Sequence, residues 1–209
     1  MQEALAHDVA ELRAVFQAQA EFVEPHARRL RNPHLEGPVP EQVVAQAVPS
    51  AIMVLVTDEA SPRVVLTKRQ QGIRFAGQLC FPGGRSDPGE TSLETALREA
   101  QEEIGLAKSA VEVLGSYGHY YTQAGFRIAP YVGIVAPDYE YQPDPSEVAS
   151  LHYVPLADVL NPAAYRLKSF NAERAYFAFE QQGIHVGGPT VSLMIGLLEW
   201  LWETREVAS

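Results

Sequence analysis

Residues 91–105 combine a helix start, an apolar face and a helix stop in one short segment. Thr91 and Glu94 have the spacing of a capping box, and Gly105 followed by Leu106 is typical of a helix C-terminus. The apolar residues between them recur at helical spacing: Leu93, Ala96, Leu97, Ala100 and Ile104. The segment therefore predicts a helix that packs one face on a core.

The other face of this helix is acidic. Glu99, Glu102 and Glu103 lie three and four positions apart, so their side chains are neighbours on a helix. Crowded carboxylates repel one another, whereas a bound cation makes the same crowding favourable. Oxygen ligands suit Mg²⁺ or Mn²⁺, and Mg²⁺ commonly binds phosphate oxygens as well. From these residues alone, a metal site and a solvated acidic surface are both open.

The rest of the chain mixes strands and helices without a regular repeat. Apolar runs predict strands over 50–57, 63–69, 111–122, 127–135 and 175–180, and a strand leading into a short helix over 151–160. An amphipathic helix over 5–23 precedes a proline-rich stretch, and residues 190–205 predict a buried closing helix. We therefore predict an α/β fold with a mixed sheet and helices on both faces.

The N-terminal part is predicted to be an extension of the main domain. Residues 1–48 form a helix and a proline-rich lead-in, and residues 49–209 form the domain. The apolar stripe of the first helix fits packing on the domain or on a second copy, so a homodimer is an open alternative.

Composition excludes several classes of protein. A net charge of -10 and a pI near 5.0, without long basic runs, exclude a general nucleic-acid binder. Cys80 is the single cysteine, so an intrachain disulfide and a cysteine-only zinc site are excluded. The acidic start and the lack of a long apolar run predict no signal peptide and no membrane span. We expect a cytoplasmic protein.

A longer motif surrounds the acidic helix. The segment "GRSDPGETSLETALREAQEEIGL", which begins at Gly84, fits G-x5-E-x7-R-E-U-x-E-E-x-G-U, where U is a bulky apolar residue. The fixed positions are Gly84, Glu90, Arg98, Glu99, Glu102, Glu103 and Gly105. A chance match is on the order of one in a million from residue frequencies. The chain therefore resembles the Nudix hydrolase family, with Ala100 small for its apolar position.

This resemblance implies an α/β/α sandwich that hydrolyses a nucleoside diphosphate linked to another group, using divalent metal. Glu99, Glu102 and Glu103 match the glutamates that bind metal and provide the base. The carbonyl of Gly84 matches a backbone metal ligand. Arg98 matches a position that orients the carboxylates, through a salt bridge with Glu90.

The segment before the motif is similar to the signature of the coenzyme A pyrophosphatase branch, L-L-T-x-R-S-x3-R-x3-G-x3-F-P-G-G. It reads "VLTKRQQGIRFAGQLCFPGG" over 65–84. It departs from the signature at Val65, at Gln70 and by one residue fewer between Arg74 and Gly77. This likeness implies hydrolysis of coenzyme A, or its acyl form, to 3′,5′-ADP and 4′-phosphopantetheine.

The same likeness implies several contacts around the metal. Substrate-binding residues are expected at Arg69, Arg74, Phe81 and Gly83, and Glu147 is a candidate for a further carboxylate beside the metal. Other diphosphates, such as ADP-ribose or a dinucleoside polyphosphate, are the alternative substrates, and a non-catalytic ligand sensor is the alternative function. Tyr120 and Tyr121 fit either stacking on a base or packing in the core.

Overall fold

This computed structural model describes residues 8–20, 29–30, 40–169 and 175–208. The strands are β1 (Val48–Thr57), β2 (Arg63–Arg69), β3 (Leu79–Cys80), β4 (Gly83–Arg85), β5 (Val111–Ser116), β6 (Tyr120–Tyr121), β7 (Phe126–Val135), β8 (Val148–Pro155), β9 (Tyr165–Ser169), β10 (Ala175–Gln181) and β11 (Ile184–Val186). The helices are α1 (Val9–Ala20), α2 (Glu41–Gln46), α3 (Ser92–Ile104), α4 (Leu156–Val159) and α5 (Gly188–Ala208).

The main sheet is mixed and is built around β1. Its order is β3-β2-β1-β7-β5, with β4 also paired to β1, β6 to β7 and β8 to β2. β1 and β7 run parallel, and the other pairs of this sheet are antiparallel. A second, antiparallel sheet contains β9, β10 and β11.

Side chains of β1 alternate between two cores because successive residues of a strand point to opposite faces. Ala51, Met53 and Leu55 belong to the smaller core, where α3 packs. Ile52, Val54 and Val56 belong to the larger core, to which α1 and α5 contribute. The predicted α/β fold, with helices on both faces of a mixed sheet, is confirmed.

The first helix packs on the domain. Val9, Leu12 and Phe16 lie in the larger core, and the rings of Phe16 and Trp200 are 4.5 Å apart. The predicted ends of this helix, 5–7 and 21–23, lie outside the described residues. The boundary at residue 48 stays a prediction, although α1 shares its core with the domain. None of the described helices is long and apolar enough to cross a bilayer.

Candidate active site

Helix α3 is held at both ends by its own sequence. The Thr91 hydroxyl accepts the Glu94 backbone N–H, and the Glu94 carboxylate accepts the Thr91 N–H at 2.8 Å. Gly105 ends the helix with φ of 68°, a left-handed conformation that suits glycine. Ala100 and Ile104 are fully buried in the smaller core. These contacts fix the rotation of the helix and therefore the direction of its glutamates.

Strand β4 brings two glycines against these glutamates. Gly84 pairs with Ala51 of β1. A Cβ at Gly84 would come within 2.5 Å of the Glu99 carboxylate, so only glycine permits this approach. The Gly83 N–H donates to Oε2 of Glu103 at 3.3 Å. Two carboxylates of α3 thus lie directly on the backbone of the glycine pair.

Burial makes these carboxylates unusual acids. Glu103 is only 4% exposed, and burial raises its pKa to about 8, although the Gly83 N–H acts in the opposite direction. Burial also raises the pKa of Glu99, against the effect of Arg98. The negative charge of Glu147 contributes to both shifts, so these three carboxylates are close enough to repel one another.

Arg98 is the main counter-ion of the helix. Its Nε donates to Glu90 at 2.7 Å, and its Nη2 donates to the other oxygen of Glu90 at 3.1 Å. Its Nη1 donates to Glu99 at 2.9 Å and to Glu102 at 2.8 Å. These contacts, with the Glu90 bond first, raise the pKa of Arg98 and hold the pKa of Glu90 at about 2. The salt bridge expected between Arg98 and Glu90 is present.

Arg98 contacts two of the glutamates that are predicted to bind metal. Within the described ranges, no three His, Cys, Asp or Glu side chains are grouped so as to hold a metal ion. Arg98 Nη1 lies between Glu99 and Glu102 and donates to both carboxylates. The donors nevertheless fit a hard divalent cation, because Glu103 is buried with one backbone N–H and the neighbouring groups are carboxylate oxygens.

Glu147 reaches the site through the loop over 136–147. The backbone N–H of Gln142 donates to the Ile104 carbonyl, and that of Asp144 donates to the Glu103 carbonyl, both at 2.9 Å. At the other end of the loop, the Gln70 N–H donates to the Glu147 carbonyl at 2.8 Å. The loop therefore joins the end of α3 to the end of β2. The anchoring roles of Gln142 and Asp144 had no signal in the sequence.

The residues expected to bind substrate occupy different environments. Arg69 lies near the carboxylates, since its charge lowers the pKa of Glu103, and its Nε donates to the Arg74 carbonyl at 3.0 Å. The Arg74 guanidinium lies 4.7 Å from the centre of the Phe75 ring. Phe81 is 4% exposed and packs in the larger core, so a substrate contact by its side chain has no support here.

The two tyrosines considered as base-stacking residues are also buried. Tyr120 and Tyr121 form β6, and both side chains have almost no exposed surface. Tyr120 belongs to the larger core. Of the two alternatives, the structure favours packing.

Sequence comparison identifies the family. A model of the NUDIX domain matches residues 47–175, more than half of the chain. The chain belongs to the Nudix family. Members of this family generally use divalent metal ions, in agreement with the oxygen donors on α3.

Similar Nudix proteins include curated relatives and solved structures. The uncharacterized Nudix hydrolase NudL of Yersinia enterocolitica is 38% identical over 133 residues, which cover 63% of this chain and 68% of that protein. NudL of Photorhabdus laumondii is 31% identical over 75% of this chain and 87% of its own length. A C. elegans Ap4A hydrolase binary complex aligns with a TM-score of 0.50 at 18% identity, covering 75% of this chain and 99% of that one. The last likeness shows the shared fold.

Proposed function

We propose that this Nudix hydrolase cleaves the diphosphate bond of coenzyme A, or of an acyl-CoA, with Mg²⁺ or Mn²⁺ as the cofactor. The observation that carries the proposal is the convergence of Glu99 and Glu103 on the Gly83–Gly84 backbone, with the charge of Glu147 close enough to act on both. Without a cation these carboxylates repel one another, and a metal–diphosphate complex would remove that repulsion.

In the proposed reaction, water attacks one phosphorus and the bond from that phosphorus to the bridging oxygen breaks. The products are 3′,5′-ADP and 4′-phosphopantetheine. A divalent cation, when bound, neutralises charge on the diphosphate and favours deprotonation of water. Glu102 and Glu103 are proposed as direct ligands, Glu99 shares ligation, and one of the three accepts the proton from water. The Gly84 carbonyl and Glu147 are proposed as further ligands.

Arg98 has two roles in this proposal. Glu102 is the most exposed of the three glutamates, at 58% of its side chain, and it is held by Nη1 of Arg98. Arg98 bonds Oε2 of Glu102, so Oε1 is the oxygen proposed to bind a cation, and the two bonds to Glu90 keep the guanidinium beside the helix. Without metal, Arg98 thus offsets part of the negative charge of the carboxylates. With metal bound, its proposed role is to position Glu99.

The substrate assignment rests on the segment before the acidic helix. Coenzyme A carries a 3′-phosphate in addition to its diphosphate, so cationic side chains are needed near the metal. Arg69 and Arg74 are linked by a hydrogen bond at that position, and arginine can grip phosphate with two N–H groups. Gly83 is proposed to approach the phosphates through its backbone. The cytoplasmic location and the homodimer remain predictions from the sequence.

A substrate panel tests both the reaction and its target. Coenzyme A, an acyl-CoA, ADP-ribose, NADH and diadenosine polyphosphate are each incubated with Mg²⁺ or Mn²⁺ in ¹⁸O-labelled water, and products are identified by mass spectrometry. We expect coenzyme A to give 3′,5′-ADP and 4′-phosphopantetheine, with the label in one of the two. If coenzyme A stays intact while another member is cleaved, the substrate assignment is wrong and the reaction class stands.

The metal-binding face is tested by Glu103→Gln at saturating Mg²⁺. We expect turnover to fall by about 100-fold or more, in the range of losses on removing a catalytic group. Glu140→Gln is the matched control, because it makes the same chemical change on an exposed loop residue. Near-normal turnover of Glu103→Gln would contradict the assignment. Binding of substrate with no hydrolysis in any metal would favour the ligand-sensor alternative.

A further inference from the structure

The loop over 70–78 displays an aromatic ring in a conformation that aromatic residues rarely adopt. Phe75 is 55% exposed and has φ of 62°. A single exposed apolar side chain is ordinary on a protein surface. The left-handed backbone is not, because a bulky residue is strained there and glycine or asparagine is the usual choice. The position therefore carries an aromatic side chain in spite of backbone strain.

The backbone that carries the ring is hydrogen-bonded within the loop. The Gln78 N–H donates to the Phe75 carbonyl at 3.2 Å, and the Gly77 N–H donates to the Arg69 carbonyl at 3.0 Å. The side chain of Arg69 closes the loop from within by donating to the Arg74 carbonyl at 3.0 Å. These bonds hold the backbone on each side of Phe75.

This loop is joined to the carboxylate site by the same arginine. The charge of Arg69 acts on Glu103, and its side chain holds the residue before Phe75. After the loop, β3 leads to Gly83 only five residues beyond Gln78, a span of at most about 18 Å when extended. The Phe75 loop and the carboxylate site are therefore neighbours that share Arg69, the arrangement that a nucleotide with its diphosphate at Glu103 and Gly83 would need.

The Arg74 guanidinium covers one side of the ring at 4.7 Å, and more than half of Phe75 is still exposed. An arginine stacked on an aromatic ring offers a cation for phosphate and a flat surface for a base. We propose that Phe75 is a specificity-determining residue that stacks on the nucleobase of the substrate, with Arg74 contacting a phosphate of the same nucleotide. This inference rests on the proposed nucleoside diphosphate hydrolysis and does not depend on which such diphosphate is cleaved.

The test compares Phe75→Ala and Phe75→Trp with Tyr153→Ala as the matched control. Tyr153 is also an exposed aromatic residue under an arginine, since Arg63 lies 4.9 Å from its ring, but it is on β8 and outside the proposed subsite. For the panel member that is cleaved, Phe75→Ala should raise KM by roughly 5- to 100-fold, as expected for loss of stacking on a base, with kcat nearly unchanged. Phe75→Trp should keep KM within about threefold, because it restores an aromatic face, and Tyr153→Ala should match the wild type.

Product inhibition separates recognition of the base from recognition of the diphosphate. In Phe75→Ala, the inhibition constant of the product that carries the base should rise by the same factor as KM, and that of the base-free product should not change. For coenzyme A these products are 3′,5′-ADP and 4′-phosphopantetheine. Equal shifts for both products, or no shift in KM, would overturn the proposal. Failure of the enzyme to cleave coenzyme A would instead contradict only the proposed substrate, and the same comparison would use the products of the diphosphate that is cleaved.

Phe75→Gly distinguishes binding from a structural role. Glycine relieves the strain at φ of 62°, so the melting temperature should stay the same or rise while KM increases as in Phe75→Ala. A fall in melting temperature with an unchanged KM would show that the ring serves the fold, and it would overturn the proposal.

Discussion

Replacing Glu103 by glutamine should make the metal-free protein more stable at alkaline pH. The pKa of Glu103 is about 8 in the folded protein, against an ordinary value of 4.5. Each pH unit of difference corresponds to about 1.4 kcal/mol, so ionised Glu103 costs on the order of 5 kcal/mol of folding free energy. Because the folded pKa lies above the unfolded one, this cost is absent below pH 4.5, grows as pH rises to 8 and is then constant.

The assay is urea unfolding in EDTA at several pH values between 4 and 9. Glutamine keeps the size of the side chain and can still accept the Gly83 N–H, so the substitution removes chiefly the charge. The free energy of unfolding of Glu103→Gln minus that of the wild type should increase with pH and level off above pH 8. Glu140→Gln is the matched control, because it makes the same chemical change on an exposed loop residue, where removing the carboxylate relieves no buried charge.

A difference in stability that does not change with pH would refute this reasoning. If Glu103→Gln and the wild type lost stability in parallel from pH 5 to 9, ionisation of Glu103 would not be costly in the folded protein. The conclusion that this carboxylate is desolvated and crowded by Glu99 and Glu147 would then be wrong.

Three further predictions concern the support of the site. Gly84→Ala places a methyl group within about 2.5 Å of the Glu99 carboxylate, which is the flexible end of its side chain and must shift. Urea unfolding should therefore show a loss of at most about 1 kcal/mol, while kcat should fall because Glu99 is displaced. An unchanged kcat would mean that the close approach is unimportant. Thr91→Ala removes the capping box and should cost about 1 kcal/mol in the same assay with KM unchanged, whereas full stability would contradict the capping role. Arg98 holds the pKa of Glu90 at about 2, below its ordinary value, so this stabilisation is complete above pH 4.5 and is lost as pH falls towards 2. Arg98→Met should therefore flatten the fall in melting temperature between pH 5 and 2, and a fall as steep as in the wild type would exclude this pair as its cause.

The acidic helix was predictable from local sequence. Capping at Thr91, the stop at Gly105 and the apolar spacing act within a few residues, and α3 has these features in the structure. The long strands β1, β2 and β7 were predictable for a similar reason, since each contains a local run of apolar residues. The two-residue β3 and the glycine-rich β4 have no such pattern, and they exist as strands because β2 and β1 pair with them.

The sequence by itself therefore determined which residues form the carboxylate face and the family to which the chain belongs. The tertiary structure decided what surrounds that face. It brings Gly84 against Glu99 and brings Glu147 close through its loop. It also determines the different burial of Phe75 and Phe81. Phe81 is buried and Phe75 is exposed, although both are phenylalanines of one short segment. Such differences depend on strand pairing and burial between distant parts of the chain. The desolvation of Glu103 follows from the same packing. Neither can be predicted from the spacing of residues along the sequence.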